Sequence, residues 1–136
     1  MNVLFVCKWN VGRSQMGEEL FNQYSQHNTG TSAGTHAIRF AGKKLKEFAG
    51  HVVDVLQEKG IDVSDKTPLQ LTEMMAQHAD KIVVMTEKEN LPPNLLDSNK
   101  VIVWDIKDGD GKDYAFHINM RDQIEVLVKK LVAEIG

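Results

Sequence analysis

Short runs of consecutive apolar residues divide the chain, and they occur at residues 3–6, 82–85 and 101–104. Runs of this kind are typical of strands that are covered on both faces, as in a parallel sheet with helices on either side. Residues 31–34, Thr-Ser-Ala-Gly, are a weaker candidate for a further strand because they are less apolar. The pattern therefore predicts four short strands.

Between these runs, apolar residues recur at intervals of three and four, which is the period of an amphipathic helix. Gly60 is typical of a helix end, and the Leu-Pro-Pro-Asn segment at residues 91–94 predicts a loop. Strands that alternate with helices predict an α/β fold, a single doubly wound domain over residues 1–136 whose four-stranded parallel sheet is flanked by helices. The predicted helices cover residues 14–26, 43–59, 68–78 and 119–135.

The composition argues against several classes of protein. The chain has 136 residues and a net charge of −3, which suits one domain and disfavours a nucleic-acid binder, since such proteins present a basic face to phosphates. No apolar run approaches the roughly 20 residues of a membrane span, so no membrane partner is expected. Cys7 is the only cysteine, which excludes an internal disulfide, and without a recognisable signal peptide this predicts a cytoplasmic protein.

The single cysteine lies in the turn that follows the first predicted strand, at residues 7–14, Cys-Lys-Trp-Asn-Val-Gly-Arg-Ser. Ligands of doubly wound sheets bind beyond the carboxyl ends of the strands. A loop that leads into a helix N-terminus also presents backbone N–H groups, which favour a bound anion and a thiolate. We therefore predict that Cys7 is a nucleophile beside an oxyanion site.

Other residues of the turn suit the same chemistry. Arg13 can return across the loop and offer two N–H donors to a tetrahedral oxyanion such as a phosphate ester. Ser14 can donate its hydroxyl to the thiolate or cap the helix. Gly12 and Asn10 suit a tightly turned backbone, because glycine lacks a Cβ and asparagine tolerates left-handed geometry.

The motif of this turn resembles that of the low-molecular-weight protein tyrosine phosphatase family, which includes related arsenate reductases. The shared features are a cysteine, five intervening residues and Arg-Ser, with an asparagine three residues after the cysteine. The likeness continues at residues 31–35, 60–71 and 79–86. It implies a phosphatase that hydrolyses phosphate monoesters, including protein phosphotyrosine, through a phosphocysteine and without a cofactor or metal. The implied partner is a phosphorylated protein or a small phosphate ester.

The resemblance also implies a catalytic acid after the fourth strand, and Asp108 falls on that position. Cys7, Arg13 and Asp108 are therefore the predicted catalytic residues. The family usually has a proline after this aspartate and then an aromatic residue, whereas this chain has Gly109 and Asp110. These departures bear on the rigidity of the loop that carries Asp108, the acid loop, and on the preference for aryl substrates. The predicted substrate-binding residues, of which the first two are expected at the mouth of the pocket, are Lys8, Trp9, Asn10, Val11, Gly12 and Ser14.

Arsenate reduction is an alternative function, because Gln15 and Met16 resemble the reductase branch of the family more than the phosphatase branch. Thioredoxin-coupled reductases of this type pass a disulfide along further cysteines, and this chain has none. It would need an external low-molecular-weight thiol or a redox partner protein. A non-catalytic, oxyanion-binding regulatory module is the other alternative, since the altered acid loop could leave phosphate bound with little turnover.

No metal site is predicted. Residues 105–113 are acidic, but alignment with a calcium-binding loop places Ile106 at the first ligand position and His117 at the last, where neither fits. The five histidines are scattered without the four-residue spacing of zinc enzymes. His36 and Arg39 follow the second strand and could approach the site.

Overall fold

The computed structural model describes residues 1–136 and contains one four-stranded parallel sheet. The strands lie in the order β2-β1-β3-β4, and every neighbouring pair is parallel. This arrangement confirms the predicted α/β fold and strand number. In chain order the strands are β1 (Asn2–Cys7), β2 (Thr29–Gly34), β3 (Lys81–Val84) and β4 (Val101–Val103).

Helices cover both faces of the sheet, which explains why the central strands are apolar throughout. Val3, Phe5 and Val83 pack in the larger core cluster, whereas Leu4 and Val6 pack in the smaller one on the opposite face. No helix is both long and apolar enough to cross a membrane. The helices are α1 (Arg13–Tyr24), α2 (Leu45–Phe48), α3 (Gly50–Gln57), α4 (Glu73–His78), α5 (Pro93–Leu96) and α6 (Tyr114–Ile135), with short 3-10 turns at Ala37–Phe40 and Lys88–Asn90.

The predicted continuous helix over residues 43–59 is wrong, because the structure divides it into α2 and α3. Ala49 separates the two helices with a non-helical backbone (φ −128°, ψ 52°). At this break, the ring of Phe48 stacks on Phe40, with centroids 4.9 Å apart. Ala49 itself lines the cavity described below.

The predicted helix over residues 68–78 begins only at Glu73. Its first residues run extended beside β2, where Gly34 N–H donates to the Leu69 carbonyl and Leu71 N–H donates to the Gly34 carbonyl, both at 2.9 Å. Thr72 then caps α4 by accepting a hydrogen bond from Met75 N–H. The leucines of this segment are therefore part of an extended stretch that pairs with β2 at the edge of the sheet, and not part of a helix.

Two other boundaries differ from the prediction. The closing helix begins at Tyr114 instead of residue 119, because the Asp113 carboxylate caps it by accepting a hydrogen bond from Phe116 N–H at 2.9 Å. The segment predicted as a loop at residues 91–94 contains the start of α5, which has a proline in its first turn.

Candidate active site

The loop between β1 and α1 is tightly folded over the carboxyl end of the sheet. Cys7 ends β1 and Arg13 begins α1, and each is only 3% exposed. Asn10 adopts a left-handed backbone with φ 55°. Gly34 of β2 lies beneath the loop, where an added Cβ would be 2.7 Å from Asn10 N and 2.8 Å from the Lys8 carbonyl oxygen. Only glycine at position 34 permits this close passage.

Gly12 is not the left-handed position of the loop. It precedes α1 with a negative φ of −109°, and an added Cβ would lie 3.4 Å from Met120 Cε, which is ordinary van der Waals contact. The unusual backbone that the sequence predicts is therefore supplied by Asn10, while Gly12 brings the loop close to α6.

Asn10 organises the interior of the loop with a side chain that is fully buried. Its Oδ1 accepts a hydrogen bond from Leu69 N–H at 2.8 Å. Because a backbone N–H can only donate, this bond fixes which way the amide points. Its Nδ2 therefore donates to Ser14 Oγ at 2.7 Å and to Ser32 Oγ at 2.9 Å.

Ser14 connects this network to Cys7, the predicted nucleophile. Its Oγ accepts the hydrogen bond from Asn10 and lies 3.0 Å from Cys7 Sγ. The hydroxyl proton of Ser14 is therefore free to point at the sulfur. A donor in this position stabilises a thiolate over a thiol, since hydrogen bonding to a charged form favours that form.

Arg13 joins residues 7–14 to residues 105–113 after β4. We call the first segment the phosphate loop and the second the acid loop, after their predicted roles. Its Nη1 donates to the Ile106 carbonyl at 3.0 Å, and its Nη2 lies 3.7 Å from Asp108 Oδ2. The Asp108 side chain is 40% exposed, so its carboxyl group remains accessible. Asp105, by contrast, is 86% exposed and pairs with Lys107.

One cavity of about 360 Å³ brings the predicted catalytic residues together. Asn10 and Ser14 do not line it, because they are buried behind the loop. Lys8 also lies outside it, with Nζ 4.6 Å from the centre of the Trp9 ring. The predicted residues that do line the cavity are Cys7, Trp9, Val11, Gly12, Arg13 and Asp108.

An aromatic wall borders this cavity, and of its three residues only Trp9 was predicted from the sequence. Trp9 meets Phe40 edge to face at 5.7 Å, and Phe40 stacks on Phe48. The Arg39 guanidinium lies 5.3 Å from the Trp9 ring and lines the cavity, as the sequence suggested, whereas His36 contacts Trp9 outside it. The role of Phe48 was not predicted, because the sequence placed this residue inside one continuous helix over residues 43–59.

The cavity is also lined by two histidines, His51 of α3 and His117 of α6, whose ring centres are 5.2 Å apart. Only His117 is buried. No sequence motif marked either residue, because their proximity arises from the packing of α3 on α6. No group of three or more histidine, cysteine or carboxylate side chains is arranged to hold a metal ion.

Glu87 supplies a negative charge near the two cations of the phosphate loop. The pKa of Glu87 lies below its ordinary value because its own backbone N–H and the Thr86 hydroxyl donate to the carboxylate, with Arg13 and Lys8 as further positive charges. Glu87 therefore stays ionised and offsets part of the positive field of the loop.

Comparison with known proteins agrees with this geometry. Residues 2–136 match the family described as low molecular weight phosphotyrosine protein phosphatase. A glutaredoxin arsenate reductase from Synechocystis sp. is 28% identical over 135 residues, which cover 98% of each chain. The structure of a low molecular weight protein tyrosine phosphatase from T. tengcongensis superposes with a TM-score of 0.86 at 26% identity, covering 99% of both chains.

A mutant of the YwlE arginine phosphatase that carries a phosphorylated active-site serine superposes with a TM-score of 0.85 at 26% identity. The match covers 99% of this chain and 95% of that one. The relatives thus include phosphatases and an arsenate reductase on one scaffold. Because the family match spans nearly the whole sequence, the chain belongs to the low-molecular-weight phosphotyrosine protein phosphatase family of enzymes.

Proposed function

We propose that the chain is a cysteine-dependent phosphatase that hydrolyses phosphate monoesters, protein phosphotyrosine among them. The observation that carries the proposal is that Cys7, Arg13 and Asp108 all line one cavity, which has a volume of about 360 Å³. A nucleophile, an oxyanion clamp and an acid in one cavity are the parts that phosphoryl transfer through a covalent intermediate requires.

The first step forms a phosphocysteine. The Cys7 thiolate attacks phosphorus while the Arg13 guanidinium and the backbone N–H groups of the phosphate loop hold the phosphate oxygens. As the ester bond breaks, Asp108 donates its proton to the leaving oxygen. The Ser14 hydroxyl supports the thiolate before attack, since its proton is free to point at the sulfur.

The second step releases phosphate. Asp108, now ionised, takes a proton from water, and the resulting hydroxide attacks the phosphorus and displaces the Cys7 thiolate. The 40% exposure of the Asp108 side chain suits this exchange because water can reach it once the alcohol has left. A thiolate nucleophile must stay reduced, which supports the expected cytoplasmic location.

The aromatic wall favours an aryl phosphate as substrate. Trp9, Phe40 and Phe48 offer ring faces and edges along one side of the cavity. Aromatic pairs of this geometry contribute about 0.5–1.5 kcal/mol beyond their buried area. Phosphotyrosine places an aromatic ring next to its phosphate, so a ring against this wall would hold the phosphorus over Cys7.

The test is steady-state hydrolysis of para-nitrophenyl phosphate without added metal, comparing the wild type with Cys7→Ser. We expect turnover that falls by on the order of 10⁴-fold or more in Cys7→Ser, because the nucleophile is lost. A peptide series carrying phosphotyrosine, phosphoserine or phosphoarginine then ranks the substrates. A folded wild type without turnover, or a fully active Cys7→Ser, contradicts the proposal.

Arsenate reduction is the second candidate, favoured by the resemblance of Gln15 and Met16 to the reductase branch and by a relative named as a glutaredoxin arsenate reductase. With one cysteine, the Cys7–arsenate adduct would be reduced by an external thiol, which attacks Sγ, releases arsenite and leaves a mixed disulfide. A second thiol would regenerate Cys7. Arsenite formation from arsenate with glutathione and glutaredoxin, absent in Cys7→Ser, would support this function. A wild type that forms no arsenite under these conditions would exclude it.

A further inference from the structure

Gly109, the residue after Asp108, is buried directly against helix α6. A Cβ added to Gly109 would lie 2.9 Å from His117 Nε2 and 3.2 Å from Met120 Cε. Real side chains do not approach a Cβ as closely as 2.9 Å. The imidazole therefore occupies the space that any other residue at position 109 would need.

His117 cannot easily turn away from Gly109. The ring is buried, with 7% of the residue exposed, and its Nδ1 lies 2.7 Å from the Asp113 carbonyl oxygen. A carbonyl only accepts, so Nδ1 carries a proton and donates it. Asp113 is held in turn as the cap of α6 through Phe116 N–H. The other ring nitrogen, Nε2, is left facing Gly109.

Met120, one turn further along α6, touches both loops of the active site. Its Cε lies 3.2 Å from the Cβ position of Gly109 and 3.4 Å from that of Gly12. Gly12 directly precedes Arg13, and Gly109 directly follows Asp108. One turn of α6 therefore sets the spacing between the two loops, beside the 3.7 Å approach of Arg13 to Asp108.

We infer that His117 and Gly109 are a matched pair of positioning residues that place the Asp108 carboxyl group for proton transfer. This inference rests on the proposed phosphatase function. Because Gly109 rests on the imidazole, a side chain at position 109 would push the acid loop away from α6. Asp108 would move with it and away from the leaving oxygen, while Cys7 and the phosphate loop would stay in place.

The experiment is a double-mutant cycle with Gly109→Ala, His117→Ala and the double variant. The probes are phenyl phosphate, whose leaving group needs the acid, and para-nitrophenyl phosphate, whose leaving group needs it far less. The acid contributes about 10²–10⁴-fold, so we expect Gly109→Ala to lower kcat/KM for phenyl phosphate roughly tenfold. We expect its kcat/KM for para-nitrophenyl phosphate to stay within about threefold, since formation of the phosphocysteine depends less on the acid there.

The double variant provides the rescue. Removing the imidazole makes room for the added methyl group, so we expect kcat/KM of the double variant for phenyl phosphate to recover at least about threefold over Gly109→Ala. Gly50→Ala is the matched control, because its Cβ would meet nothing within 4 Å. Inhibition by inorganic phosphate, expected to be unchanged in all variants, reports an intact phosphate loop.

The outcomes separate this inference from the proposed function. A wild type without Cys7-dependent turnover overturns the proposed function. If the wild type turns over normally, either of two results overturns this inference alone. One is wild-type kcat/KM of Gly109→Ala for both substrates, and the other is a double variant whose kcat/KM for phenyl phosphate is no higher than that of Gly109→Ala. Should Gly109→Ala fail to fold, a folded and active double variant supports the pairing, and an unfolded one contradicts it.

Discussion

The phosphate loop after β1 and the acid loop after β4 both reach the active-site cavity, but they are held by different means. The phosphate loop is fixed from within, since the buried Asn10 side chain ties Ser14 to Ser32 and to the Leu69 backbone. The acid loop has few bonds of its own. Asp108 accepts from Asp110 N–H at 3.1 Å and Lys112 N–H donates to the Gly109 carbonyl at 2.9 Å, while Arg13 and α6 support the loop from outside.

The difference agrees with the tasks that the proposed mechanism gives to the two loops. Stabilisation of a phosphate in the transition state requires donors that are already in position, because reorganisation during the reaction would cost free energy. A general acid that later acts as a base must instead exchange protons with the leaving group and with water. We therefore expect damage to the first loop to affect every substrate, and damage to the second to depend on the leaving group.

Arg13→Lys is the strongest test of the phosphate loop. We expect kcat/KM for para-nitrophenyl phosphate to fall by roughly 10²–10³-fold, the usual loss for one oxyanion donor, since an ammonium cannot reproduce the two-pronged guanidinium. The bond to the Ile106 carbonyl would be lost as well. Arg121→Lys is the matched control, because Arg121 is also buried but bonds to Val55 and Glu58 away from the cavity. Near-normal kcat/KM in Arg13→Lys would remove this residue from catalysis.

Asp108→Asn tests the acid loop. We expect kcat/KM for phenyl phosphate to fall by about 10²-fold, with a much smaller loss for para-nitrophenyl phosphate, because only the poorer leaving group depends on protonation. Asp105→Asn, at an 86% exposed position on the same loop, should leave both rates unchanged. Equal losses for the two substrates, or a larger loss in Asp105→Asn, would move the acid function to another residue.

Asn10→Ala tests whether the internal network of the phosphate loop matters for catalysis. Leu69 N–H would lose its acceptor, and the hydroxyls of Ser14 and Ser32 would lose a donor. We expect a loss of about 1–3 kcal/mol in the free energy of unfolding and about a tenfold loss in kcat for both aryl phosphates, equal between them. Urea unfolding and steady-state rates measure the two effects. A leaving-group-dependent loss would contradict the division between the loops.

The phosphate loop could be predicted from sequence because its functional residues are contiguous. Cys7 ends an apolar strand, and Arg13 and Ser14 begin the next helix, so their positions are set by local structure. The bond from Leu69 to Asn10 could not be predicted, because it joins segments 59 residues apart that meet only in the fold. The wrong assignment of Leu69 to a helix has the same cause, since the pairing of Leu69 with β2 is a tertiary contact that the local sequence does not show.

The support of the acid loop was even less accessible to sequence analysis. In the sequence, Gly109 is notable only because the family usually has a proline at this position. Nothing in the neighbouring sequence shows that His117 fills the space that a side chain at position 109 would need. The apolar spacing that predicted one helix over residues 43–59 continues across Ala49 without a break. Packing of Phe48 on Phe40 accompanies that break and brings an aromatic face to the cavity.

The smallest expected effect concerns the contact between α1 and α6, and a change there should leave the catalytic rates unchanged. Tyr24 of α1 donates to Glu125 of α6 at 2.7 Å, and Lys59 bonds to the same carboxylate. Burial alone would raise the pKa of Glu125, but these two donors outweigh it, so the pKa lies below its ordinary value of 4.5. We expect Tyr24→Phe to reduce the free energy of unfolding by about 1 kcal/mol at neutral pH, as measured by urea unfolding.

The pH dependence of that loss has a definite sign. A carboxyl group whose pKa is lowered by folding stabilises the protein above its unfolded pKa, and this contribution is lost as pH falls through the folded pKa. The difference between wild type and Tyr24→Phe should therefore shrink below the ordinary Glu125 pKa of 4.5, while kcat at neutral pH stays the same for both aryl phosphates. A stable variant with a reduced kcat would instead mean that the joint between α1 and α6 transmits strain to the loops, and that the two loops are less independent than their separate supports indicate.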